Sequence, residues 1–121
     1  INQLGLIDYQ DALVGSSVYD FTSLIEDVRH PIQDDLKNSL VETFSKLISV
    51  DQNELKRGIS FYSIQRNLKI VGIFSRLKYR DDKKNYFPMI ELAWGFIKNH
   101  LKNNEYKDLN NWINNIMKNS L

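Results

Sequence analysis

The sequence of 121 residues has no cysteine, two histidines and two prolines, and no apolar run of the roughly 18 residues needed to cross a bilayer. The missing thiols exclude a disulfide framework and a thiolate zinc site, and they fit a reducing compartment, so a cytoplasmic location is expected. Charge of one sign is also lacking, since 16 basic residues nearly balance 15 acidic ones. A net charge of +1 offers little field toward nucleic acid or an anionic membrane, and neither is expected as a partner. The opening residues Ile1-Asn2-Gln3-Leu4 lack the basic flank and small-residue cleavage site of a signal peptide. They read as the end of an apolar strand, as in a chain whose upstream portion has been removed.

What is present is apolar material for one core. At 42% hydrophobic residues, 1–121 is expected to form a single domain. Leu4-Gly5-Leu6-Ile7 fits a short buried strand ending at the polar Asp8, Gln10 and Asp11. After the turn residues Gly15-Ser16-Ser17, Asp20 is the expected N-cap of a helix burying Phe21, Leu24, Ile25 and Val28, with its end limited by Pro31. A second helix places Ile32, Leu36, Leu40, Val41, Phe44, Leu47 and Ile48 on one face.

From Asn53 to Tyr79 a helical pattern continues, with a break expected near Gly58 and a close helix–helix approach expected at Gly72. The charged run Arg80-Asp81-Asp82-Lys83-Lys84-Asn85 reads as a solvated connection. Pro88 suits the first turn of a helix burying Ile90, Ala93, Trp94, Ile97 and Leu101, and a last helix buries Leu109, Trp112, Ile113 and Ile116. The fold class expected is mainly α with one short N-terminal strand.

Two carboxylates, Asp8 and Asp11, fall three residues apart just beyond the strand. Oxygen donors there suit a magnesium ion on nucleotide phosphates, but spacing alone is weak evidence and fits turn aspartates capping backbone N–H groups better.

The stretch GLIDYQDALVGSSVYDFTSLIEDVR resembles the metal-binding segment of the aminoglycoside phosphotransferase and choline kinase-like family: an apolar strand, Ile-Asp, an aromatic, an acidic residue, Ala, a glycine turn, then Tyr-Asp and a helix. By that resemblance Asp8 binds magnesium and contributes to the nucleotide site, Asp11 is the nearby acidic position, and Asp20 opens the following helix. A second block, IQRNLKIVGIFSRLKYRDDKKNYFPMI, is similar to a segment of bacterial cell-wall sugar kinases that phosphorylate N-acetylmuramate and N-acetylglucosamine. Three residues depart from the branch pattern: Asn67 where histidine is usual, Asp82 where glycine is usual, and Ser16 after the turn glycine.

The resemblance implies the C-terminal helical lobe of a kinase-like fold, ATP and Mg2+ as cofactors, and a small sugar or alcohol as acceptor. It places Gln65 and Arg66 near the acceptor. It also implies that the catalytic base, an aspartate in a His-Gly-Asp loop, lies upstream of this chain, so that the chain is inactive by itself. The alternatives are a kinase of an aminoglycoside, choline or another small alcohol, and a non-catalytic helical interaction module.

Other residues take plainer readings. His30 and His100 sit at helix ends, where solvation or capping is expected. Arg57, Arg66, Arg76 and Arg80 fit helix-surface ion pairs, Trp94 and Trp112 fit the core, and Lys83-Lys84 fits a solvated turn.

Overall fold

A computed structural model describes residues 13–119, the side chains of Lys84 and Asn119 excepted. The described residues form five α-helices and no strand: α1 Ser17–Ile25, α2 Asp34–Ile48, α3 Gln52–Tyr79, α4 Phe87–His100 and α5 Lys107–Asn119. The mainly α class expected from the sequence is the class observed. The strand expected at Leu4–Ile7 lies outside the described residues.

Helix α1 starts one turn earlier than expected. Ser16, not Asp20, is its N-cap, with the Ser16 hydroxyl accepting from the Val18 N–H at 3.3 Å. Asp20 sits in the first turn, where a carboxylate favours the helix dipole. The helix ends at Ile25, before Pro31 exerts any constraint. Its inward residues Val18, Phe21 and Ile25 meet Leu40, Val41 and Phe44 of α2 and Leu55 and Ile59 of α3. The Phe21 and Phe44 rings stack with centroids 4.0 Å apart.

Helix α2 ends at Ser49, which takes a left-handed φ of 55° and returns its N–H to Lys46 and Ser45 carbonyls. Its apolar pattern is wider than the face it buries. Leu36 and Leu47 are 52% and 77% exposed, and Leu24 of α1 is 65% exposed, because nothing among the described residues covers that side of the α1–α2 pair.

Helix α3 runs unbroken for 28 residues, capped by Asp51, whose carboxylate accepts from the Asn53 and Glu54 N–H groups. The expected break at Gly58 is absent. A Cβ at Gly58 would stand 3.2 Å from Val18 Cγ1, so the glycine admits α1. Gly72, where the close approach was expected, faces open space. Both positions interrupt the same pattern, and periodicity cannot say which faces a neighbour.

The far half of α3 packs on α4 and α5. There Ile64, Ile97, Leu101 and Ile113 form a second core, with Val71, Trp94, Tyr106 and Leu109 around it. Pro88 occupies the first turn of α4, as expected. Trp112 corrects the expectation for α5: it is 61% exposed, because Ile113 and Leu109 take the line facing α3 and α4 and Trp112 lies beside it.

The three departures from the branch pattern have local reasons. Ser16 caps α1. Asp82 adopts a left-handed φ of 48°, the conformation glycine reaches most readily. Asn67 is buried, and its amide donates to the Ser63 carbonyl at 3.0 Å and to the Ser63 hydroxyl at 3.2 Å.

Candidate functional site

Two polar features stand out in the helical array, and neither is a metal cluster. No group of three or more His, Cys, Asp or Glu side chains suited to an ion occurs among the described residues. Asp8 and Asp11 lie outside them, so the geometry of the expected magnesium ligands is not described.

The first feature is a groove of about 740 Å3 between 13–20 and α3, lined by Leu13, Ser16, Tyr19, Asp20, Tyr62 and Gln65 among others. It opens beside Leu13, the first of the described residues. Capping of α1 by Ser16 brings Tyr19 and Asp20 round to this mouth. The Gly58 contact draws α1 close enough to α3 for the Tyr19 and Tyr62 rings to meet edge to face, centroids 5.7 Å apart.

Gln65 is exposed and lines the groove. Its neighbour Arg66 turns about 100° around the helix and donates from Nη1 to the Glu26 carbonyl oxygen at 3.1 Å. The two residues expected at an acceptor therefore diverge in this structure, one toward the groove and one toward the end of α1.

The second feature is a buried polar junction at that end. Glu26 is fully buried. Its Oε1 accepts from Lys37 Nζ at 2.5 Å and faces His100 Nε2 at 2.9 Å, while its Oε2 accepts from the Ser63 hydroxyl. His100 Nδ1 lies 3.0 Å from Ser60 Oγ. Burial pushes the Glu26 carboxyl up, but the hydrogen bonds from His100, Lys37 and Ser63 and the Lys37 charge outweigh it and hold the group at about 2.

One carboxylate thus ties α1 to α2, α3 and α4. A buried charge is tolerated only when paired and hydrogen-bonded, and here both oxygens are. His100 is neither solvated nor a simple cap, which corrects the sequence expectation. His30 is exposed, as expected.

Sequence reasoning passed over Glu26 and Tyr62. The signal for Glu26 was faint: it follows the buried Thr22 by four residues, on the inward face of α1. Ile59, Ser63 and Asn67 share a buried line on α3 by the same spacing.

No family model matches the chain. Curated proteins do. The chain is 36% identical over 93 residues to the N-acetylmuramate/N-acetylglucosamine kinase of Neisseria meningitidis serogroup B, covering 71% of this chain and 28% of that protein. The protein of the same name from Pseudomonas putida is 29% identical over 101 residues, 77% of this chain and 30% of that one. Its counterpart from Caulobacter vibrioides is 24% identical over 96 residues, 78% and 26%. The chain spans less than a third of the length of these relatives.

Proposed function

We propose that this chain is the C-terminal, acceptor-side part of an ATP- and magnesium-dependent kinase of the aminoglycoside phosphotransferase and choline kinase-like family, acting in the cytoplasm on a cell-wall amino sugar. The observation that carries the reading is the 36% identity over 93 residues to a protein named for N-acetylmuramate and N-acetylglucosamine. The Ile7-Asp8 segment and the block from Ile64 to Ile90 carry the resemblance within the chain.

Asp8 and Asp11 offer hard carboxylate oxygens, a donor set that fits magnesium and not a soft metal. A magnesium ion held there would neutralise charge on the nucleotide phosphates during transfer. The chain's own part is positional: Gln65 contributes to holding the sugar, and Arg66 steadies the pocket wall or reaches the acceptor from it. The base that takes the sugar hydroxyl's proton is an aspartate outside this chain. Phosphoryl transfer depends on positioning and charge stabilisation, so the chain alone should not turn over.

The test is ATP consumption by the full-length protein with N-acetylmuramate, N-acetylglucosamine, choline and kanamycin. Stimulation by the amino sugars alone is expected, and stimulation by none refutes the acceptor assignment. In the same protein Asp8→Asn should lower turnover by at least about a hundredfold with the helical circular dichroism intact. Near-normal turnover would remove Asp8 from the metal site.

A further inference from the structure

Helices α1 and α2 leave one face without a neighbour among the described residues, and its pattern says what fits there. Leu24, Leu36 and Leu47 are all more than half exposed. An apolar groove of about 460 Å3 runs along this face, lined by the stacked Phe21 and Phe44 and by Leu24, Leu40 and Leu47. On α2 the outward line is Leu36, Leu40, Thr43 and Leu47, at steps of four, three and four residues. At about 100° per residue the four fall within about 60° of one another around the helix. The residues that α2 does bury, Val41 and Ser45, point elsewhere, so the line is surplus to this core. Thr43, its one polar member, donates its hydroxyl to the Ser39 carbonyl at 2.8 Å, which spends that donor inside the helix.

Steps of four, three and four make the seam along which one helix packs lengthwise on another. From Leu36 to Leu47 the seam runs about 16 Å, or three turns. A loop or an edge strand laid there would bring unpaired backbone groups onto an apolar line that cannot bond them. A helix brings none.

The source of that helix follows from the kinase reading, on which this inference rests. The matched regions are 28%, 30% and 26% of the three relatives, so more than two thirds of each lies outside the match. Ser17, four residues after Leu13, already lines the groove, so a segment earlier in the same polypeptide needs no long connection to reach it. Such a segment meets the groove intramolecularly, an advantage no separate partner has. We infer that the α1–α2 face is an intramolecular docking surface, covered in the full-length protein by an amphipathic helix from the portion upstream of this chain, whose apolar residues seat along Leu36, Leu40 and Leu47.

The test places the photoreactive amino acid p-benzoylphenylalanine at position 47 of the purified full-length protein, irradiates it and maps the products by mass spectrometry. A cross-link within one polypeptide, to an apolar helical stretch upstream of Ile1, is expected. Cross-links between two copies, seen as a doubled mass on a denaturing gel, make the face an oligomer interface and overturn the inference. Cross-links confined to 1–12, or none to protein at all, overturn it too. Leu47→Lys in the same protein gives a second measure. A lysine forced beneath a packed helix should lower the unfolding midpoint by about 5 °C or more, and a midpoint within about 1 °C of wild type means that Leu47 stays in solvent, which refutes the docking. The kinase reading fails separately: a protein that cross-links in cis but consumes ATP with none of the four acceptors loses that reading and keeps this interface. Turnover with an amino sugar and no cross-link in cis does the reverse.

Discussion

Alanine substitution at Gly58 and at Gly72 should give different results although both glycines sit inside the same helix. A helical Gly→Ala change is worth about 1 kcal/mol in stability from backbone entropy alone. At Gly72 a new Cβ meets nothing within 4 Å, so the full gain of about 1 kcal/mol is expected. At Gly58 the Cβ would stand 3.2 Å from Val18 Cγ1 and 3.8 Å from Val18 Cβ and Cγ2. Val18 is stiff at χ1, and α1 is pinned by its Ser16 cap and by Phe21 and Ile25 in the core, so a shift of a few tenths of an ångström is resisted. Crowding at the low end of overpacking, about 1 kcal/mol, should cancel the gain and leave Gly58→Ala near neutral. In a Val18→Ala background the obstruction is gone, and Gly58→Ala should recover about 1 kcal/mol, a coupling measurable in a double-mutant cycle. Urea unfolding of the four proteins, with Gly72→Ala as reference, supplies the numbers. Equal stabilisation by Gly58→Ala and Gly72→Ala in the wild-type background would refute the close approach of α1 to α3.

The Glu26 junction predicts an acid limb. The carboxyl is held at about 2, against about 4.5 in an unfolded chain, so its stabilisation is complete above pH 4.5 and is lost as pH falls toward 2. The loss amounts to roughly 3 kcal/mol, and Glu26→Gln should flatten that limb of a stability–pH profile. At neutral pH the same substitution leaves Lys37 without its anion and should destabilise measurably in chemical denaturation. Ile113→Ala should cost about 2–4 kcal/mol, whereas Trp112→Ala, despite the larger side chain, should cost less than about 1 kcal/mol since Trp112 is mostly exposed. Asp51→Ala, which frees the Asn53 and Glu54 N–H groups, should cost about 1 kcal/mol.

The helices were legible because their signals are local. Phe21, Ile25, Val41, Leu55, Ile59, Ile97 and Leu101 recur at helical steps, and all are buried. The errors share one cause, in that a step of three or four residues gives a face but not its neighbour. Leu24, Leu47 and Trp112 have the apolar character of a buried face without an element over them. Gly58 and Gly72 exchanged roles for the same reason. The polar junction was harder still, because its members Glu26, Lys37, Ser63 and His100 come from four separate stretches and meet only after α1 to α4 have packed. Gln65 was marked by resemblance, and only folding could part it from Arg66 and set it beside Tyr62 and Asp20.

Helix α3 serves two cores at once, Leu55 and Ile59 in one and Ile64 in the other, with Ser60 and Ser63 of the polar junction between them. It is a shared wall, and a shared wall removes independence. Neither half can open by itself without stripping one side of the same rod, so the amides midway along α3 should exchange only when the whole unit unfolds. The stiffness of the groove beside Tyr62 is therefore supplied in part by Ile97 and Ile113, which hold the other side of α3 through Ile64.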